Sequence, residues 1–286
     1  MRSLACAMLA ALTCLIECSG AAWSAEAAET TAVPFQRPAG ATLRVEDSLR
    51  PFRANLASDS GIMFAAASGQ GWGGIYSIGP DRVTLTYRRP GNGAITSFDI
   101  GPWPDASVHH DALYYCDAAG NLSCHYVLGA PGPGVERVTE TASFGIGRVA
   151  LRKADQLLYA SEPHGVAAGK IWKINPDGHG EVFCTVLPNK VGGRWDGQFA
   201  FSPGGVLYVA GGTGQSTGIY RCTLIADPTL VHTEPGPPIR GFHFAATDTI
   251  VVANGTPTIW KSVFGGERTV AFSSSAGLRF SDVLVR

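Results

Sequence analysis

The 286-residue chain carries 22 Lys+Arg against 23 Asp+Glu, a formal charge of −1, which gives no electrostatic reason to expect nucleic acid or an anionic membrane as partner. Its 36 Gly and 18 Pro with only 16% charged residues describe many short strands joined by tight turns, and three Met without long charged runs argue against a helical bundle. The length suffices for one β-rich domain with a large core.

Residues 1–25 read as a secretory signal peptide. Arg2 supplies the positive start and Leu4–Ile16 an apolar run too short to span a bilayer comfortably. The small residues of "SGAAWSAEAAE" place the cleavage within 22–28; Gly20 stands at the −3 position for a cut after Ala22, Ala25 for a cut after Ala27. The alternatives are an uncleaved anchor or a lipoprotein at Cys14 or Cys18, where Thr13 and Glu17 replace the small preceding residue. A secreted or periplasmic protein is expected, with no membrane partner once the signal is removed. Residues 26–32 form a flexible start, and 33–286 a single domain.

Loss of the leader leaves Cys116, Cys124, Cys184 and Cys222, an even number that suggests disulfides in an exported chain. In "YYCDAAGNLSCHYV" a hairpin centred on Gly120 sets Cys116 directly opposite Cys124, within reach of a bridge if the pair is of the non-hydrogen-bonded kind. The alternative is two buried thiols. Cys184–Cys222 follows by elimination only, and no spacing among the four is a zinc pattern.

The remaining elements repeat. "GGIYSIG", "GKIWKIN", "TGIYRCT" and "PTIWKSV" share an Ile-aromatic strand, and "LSCHYVL" is a looser fifth copy. Ahead of each lies an apolar strand ("IMFAAA", "LYYCD", "LLYASE", "VLYVAG", "IVVANG"). A further strand precedes it, seen best in "RVALRK", "GQFAFSP" and "GFHFAAT", and a fourth follows, as in "RVTLTYR", "EVFCTVL" and "RTVAFS". The aromatics Tyr76, Tyr126, Trp172, Tyr220 and Trp260 step by about 40–50 residues, the period of a four-stranded β-propeller blade. The predicted fold is therefore an all-β propeller. Six blades are favoured, the last a composite of "GLRFSDVLVR" with residues 33–48 that closes the ring and removes its open edges; five is the alternative.

In a propeller the innermost strands line the central channel, and one face collects their starts with the ends of the second strands. Those positions hold Arg53, Asn55, His109, His110, Arg148, Trp195, Asp196, Arg240, His243 and Asp282, with Asp117, Glu162, Gly211 and Asn254 from the second strands. Asp196 and His110 are the candidate catalytic residues, one of the paired His being available as a general base. Trp195, Arg53, Arg148, Arg240 and His243 are the candidate ligand contacts. Asp196, Glu162, Asn254 and His109 are the oxygen and nitrogen donors available to a divalent metal. Each has a plainer reading: Asp196 before Gly197 shapes a turn, only one of His109 and His110 can face the channel because neighbouring strand residues point apart, Glu162 is a surface carboxylate, and Asn254 is a turn residue. No G-x-S-x-G elbow, H-E-x-x-H, P-loop or dinucleotide fingerprint is present.

"WDGQFAFSPGGVLYVAGG…GIYRC" over 195–222 resembles the gluconolactonase/regucalcin (SMP-30-like) propellers, and more distantly the strictosidine-synthase-like and NHL-repeat propellers. The resemblance implies a divalent metal, Ca²⁺ or Zn²⁺, at the channel mouth, and it assigns the Asp ligand of such members to Asp196. The early E-G-P-type motif is replaced by "RPFRANLAS", and Gly147-Arg148 occupies a start where the N-G-L-type Asn is expected. The sequence thus leads to an exported propeller that binds a small molecule, glycan or protein at the channel mouth without catalysis. The alternative is a metal-dependent lactonase- or esterase-like hydrolase that uses the same site.

Overall fold

The computed structural model describes residues 45–46, 63–69, 72–79, 83–88, 94–102, 111–118, 120, 122–126, 136–137, 146–164, 168–175, 180–212, 216–223 and 227–286. The segments expected to be a signal peptide and a flexible start, and Arg53, Asn55, His109 and His110, lie outside them.

Each β-rich stretch of the repeat becomes a strand. The first sheet holds β1 (Val45–Glu46), β2 (Met63–Gly69), β3 (Trp72–Ile78) and β4 (Val83–Arg88). The second holds β5 (Ile95–Pro102), β6 (Asp111–Asp117), β7 (Leu122–Tyr126) and β8 (Glu136–Arg137), and the third β9 (Arg148–Arg152), β10 (Leu157–Glu162), β11 (Lys170–Ile174) and β12 (Gly180–Thr185). The fourth comprises β13 (Trp195–Phe201), β14 (Leu207–Gly211), β15 (Ser216–Cys222) and β16 (Thr229–Pro235). The fifth comprises β17 (Gly241–Ala246), β18 (Thr249–Ala253), β19 (Thr258–Val263) and β20 (Arg268–Ser273), and the final strand is β21 (Arg279–Val285). A single 3₁₀ turn, Pro188–Lys190, is the only helix among the described residues.

Burial grades outward along each sheet. Second strands such as β14 and β18 are buried along their whole length, whereas the outer strands β12 and β16 are mostly exposed. The hydrophobic patterning follows this gradient: continuous apolar runs suit strands covered on both faces, and alternation suits those covered on one. Five apolar wedges fill the gaps between neighbouring sheets, the largest side chains including Phe98, Phe199 and Phe242. The innermost strands pack in cyclic order β21, β5, β9, β13, β17 and back to β21. The architecture is an all-β propeller.

The repeated Ile-aromatic pair marks an irregularity shared by four sheets. Between the third and outer strands the register shifts at Ile75/Tyr76, Ile171/Trp172, Ile219/Tyr220 and Ile259/Trp260. The outer strand carries one extra residue there, a bulge that increases local twist. All four Ile are fully buried.

Three expectations are corrected. The C-terminal strand does not build a further sheet with residues 33–48: β21 pairs antiparallel with β2, while Val45–Glu46 adds in parallel to β4, the outer strand of that same sheet. Both ends of the domain therefore meet in one sheet, but the inner-strand place expected for "RPFRANLAS" belongs to β21. The innermost strand of the second sheet is β5, "ITSFDIGP", so His109 and His110 precede a second strand and not an inner one. Finally, the hairpin β6–β7 pairs Cys116 with Leu122 and Tyr114 with Cys124. Gly120, at φ 79°, donates its N–H to the Asp117 carbonyl at 2.9 Å. It thus closes a turn that begins at Asp117 instead of standing at the hairpin's centre. The two cysteines are diagonal neighbours, about 7–8 Å apart and beyond disulfide reach. Cys116, Cys184 and Cys222 are thiols, and no disulfide forms among the described residues.

Candidate functional site

The ring gathers the starts of its inner strands and the ends of its second strands around a cavity of about 610 Å³. Every sheet contributes. Ser68, Arg279 and Ser281 come from the first, Thr96 and Asp117 from the second, and Gly147, Pro163 and His164 from the third. Arg194, Asp196 and Gln198 come from the fourth, Arg240 and Gly255 from the fifth.

Asp196 reaches this mouth because β13 bulges. Its register against β14 shifts between Trp195 and Phe199, and Gly197 adopts φ +84°. A Cβ on Gly197 would stand 2.8 Å from the Ser161 hydroxyl and 3.0 Å from Pro163, so glycine is required both by conformation and by space. Asp196 is left half-buried, accepting a hydrogen bond from the Arg194 Nε at 2.7 Å. Asp117 and Gln198 line the same cavity with little exposure, while Arg240, Arg279 and His164 are exposed at its rim.

One residue further in, the channel is crossed by charge. Arg148, 2% exposed, donates from Nη1 to Asp282 Oδ1 at 2.6 Å and to Gln198 Oε1 at 3.3 Å, and from Nη2 to the Phe242 carbonyl at 2.6 Å. Its guanidinium also lies 5.7 Å from the Phe242 ring centroid. Asp282 accepts in addition from the Ser97 hydroxyl and from the Phe98 and Val283 N–H groups. Asp99 repeats the device one sheet on, accepting from the Leu151 N–H at 2.7 Å. Burial pushes the Asp99 carboxyl up to about 6, against the pull of the Leu151 and Ile100 N–H groups and of Arg148. His243 accepts from the Val285 N–H at Nδ1. The ring keeps some solvent contact yet is densely surrounded by protein, and desolvation, with the charges of Arg148 and Lys153, lowers it to about 3.

The sequence-derived candidates thus separate into three groups. Asp196 and Arg240 line the cavity, as does Asp117. Arg148, His243 and Asp282 form the throat. Trp195, Glu162 and Asn254 turn away into structural roles. Trp195 is buried in the wedge between the third and fourth sheets, donating Nε1–H to the Gln198 carbonyl at 3.0 Å. Glu162 is 1% exposed and accepts from Trp172 Nε1, and Asn254 accepts from the Thr256 hydroxyl at 2.7 Å within its turn. Arg194, Arg279 and His164 were not among the candidates. Arg279 opens "RFSDVLVR", whose strand was legible, and its place three residues before Asp282 could have found it.

The candidate donors for the metal that the resemblance implies are dispersed among separate contacts. Asp196, Glu162 and Asn254 are held by three different protein partners, Glu162 through Oε2 only, its Oε1 being buried without a hydrogen-bond partner, and His109 lies outside the described residues. Among the described residues no three His, Cys, Asp or Glu side chains cluster at ligating distance.

No protein-family model matches the chain, and no curated protein matches it. Solved structures do. A chain of the nidogen/laminin complex aligns with a TM-score of 0.50 at 12% identity, covering 73% of this chain and 77% of that one. This likeness supports the propeller fold. A protein of unknown function from Bacteroides caccae aligns at 0.46 with 12% identity, covering 78% and 98% of the two chains. A gluconolactonase from Xanthomonas campestris aligns at 0.43 with 14% identity, covering 64% and 67%.

Proposed function

We propose that the chain is an exported propeller of five blades, one per sheet, that binds a small molecule in the channel-mouth cavity and does not turn it over. The observation that carries this reading is the cavity itself. A half-open cavity of about 610 Å³ lined by residues from all five sheets falls in the size range of a small-molecule site. The carboxylate expected to act chemically, Asp196, is held in an ion pair by Arg194, which favours a role in shaping the rim over one in proton transfer.

Native mass spectrometry of the purified protein tests the reading. A retained small molecule is expected, and it should be lost in Ala118→Trp, a substitution at a cavity-lining, exposed position. Chelation with EDTA should leave it bound. Hydrolysis of a lactone or ester by the wild type, abolished in Asp196→Ala, would overturn the non-catalytic assignment.

A further inference from the structure

We infer that the ligand of this cavity is a small oxyanion, an organic acid or phosphate ester, gripped by Arg240 and Arg279; the inference rests on the cavity being the binding site. The two arginines stand at the starts of β17 and β21, innermost strands that pack directly against each other. Their backbones are locked together. The Arg240 N–H donates to the Ala253 carbonyl at 2.8 Å, Gly255 N–H to the Phe280 carbonyl at 2.9 Å, and Phe280 N–H to the Thr256 carbonyl at 3.1 Å. The Arg240 stem runs over Gly255, whose missing Cβ would lie 3.7 Å from Arg240 Cγ. Two exposed cations thus rise from neighbouring inner strands at the rim of one cavity.

Four other described arginines are neutralised by protein carboxylates, whereas exposed Arg221 at the outer part of its sheet is not. Arg148, Arg152, Arg194 and Arg268 each meet a carboxylate, of Asp282, Asp155, Asp196 and Glu234 respectively. Among the described residues Arg240 and Arg279 meet none. The cavity lining holds three Arg against Asp117 and Asp196, a local positive excess in a chain whose formal charge is −1. A pair of planar guanidinium forks with free donors is suited to a carboxylate or phosphate, which it can bind through parallel charge-assisted hydrogen bonds. A neutral ligand would leave both charges to water and draw nothing from them.

Isothermal titration with matched probes tests this: inorganic phosphate, galacturonate against galactose, and glucose 6-phosphate against glucose, at low and high NaCl. The acid of each pair is expected to bind at least about ten-fold more tightly than its neutral partner, and more weakly as salt rises. Preference between galacturonate and glucose 6-phosphate separates a carboxylate from a phosphate ligand. Arg240→Gln/Arg279→Gln should lose roughly that ten-fold or more, Arg240→Lys/Arg279→Lys should retain part of it, and an unchanged thermal midpoint in both verifies folding. Equal binding of acid and neutral probes, no binding of any acid, or acid binding unchanged in the Gln pair would each overturn the oxyanion assignment. Neutral-probe binding that Ala118→Trp blocks while the Gln pair retains it would leave the cavity reading standing alone. Acid binding that Ala118→Trp does not touch would remove both.

Discussion

At the throat of the channel, Arg148 is 2% exposed and its guanidinium bonds to β13, β17 and β21 at once. At the mouth, Arg194 is 66% exposed and holds a single carboxylate, and Arg240 and Arg279 are open to solvent. The same side chain meets opposite surroundings at the two levels of the channel. A buried guanidinium must have its charge and donors matched by protein, because the cost of leaving them unmatched in a low-dielectric interior is large. An exposed one is matched by water and can exchange that water for a ligand. Burial, more than residue type, divides structural arginine from recognition arginine in this ring.

The contrast can be broken most forcefully at the throat. Arg148→Ala should lower the unfolding free energy by about 3–5 kcal/mol, because it strands the Asp282 carboxylate in the interior. Arg148→Met/Asp282→Asn should recover a good part of that loss, and urea denaturation of the three proteins measures both. A loss below about 1 kcal/mol for Arg148→Ala would place the throat in the same class as a surface pair.

A second, smaller effect lies in the pH dependence of the throat. Asp99 titrates near 6 in the fold, above its ordinary 3.8, so the folded state binds its proton more readily than the unfolded one. Its contribution to stability falls as pH rises from about 4 to about 6 and is recovered on acidification. His243 runs the other way. It is lowered from 6.5 to about 3, so the unfolded state takes the proton first and stability is lost as pH falls below 6.5. The two oppose each other between about pH 4 and 6. Thermal midpoints should fall more steeply with acid in Asp99→Asn than in the wild type, and less steeply in His243→Gln. Parallel profiles in all three would refute the assignment.

The smallest effect belongs to the mouth. Arg194→Ala should leave the denaturation midpoint unchanged, since the ion pair it removes is solvent-screened. A marked drop would show that the rim is part of the scaffold.

Sequence patterning made the repeat legible because its signal is local. Ile75, Ile171, Ile219 and Ile259 are buried in the same way beside the same bulge, and each carries an aromatic neighbour. The inner strand β5 was hidden for the reason that makes it useful. Ser97 and Asp99 replace apolar residues there and spend their polar atoms on the neighbouring inner strands, so the strand lacks the alternation that marks its counterparts. The partner of β21 could not be read locally either, because its match to β2 is set by closure of the ring. The cysteine register failed on one residue, since "DAAGN" permits a turn centred on Gly120 or one that begins at Asp117, and only the second was built. At the site, Asp196 and Arg240 were found from strand starts alone. Glu162 and Asn254 do not line the cavity, and a strand's end does not reveal which partner will claim a side chain first.

The pairing of β2 with β21 also governs how the molecule assembles. Ala65 meets Val283 across roughly two hundred residues of intervening chain, whereas the hairpins of each sheet close over a few. Local hairpins can form early. The ring can close only after four sheets have been stacked in order, at the highest loop entropy in the fold. Until then β2 presents an unpaired edge with an apolar run, "MFAAASG", which is where an unfinished molecule would bind another copy of itself.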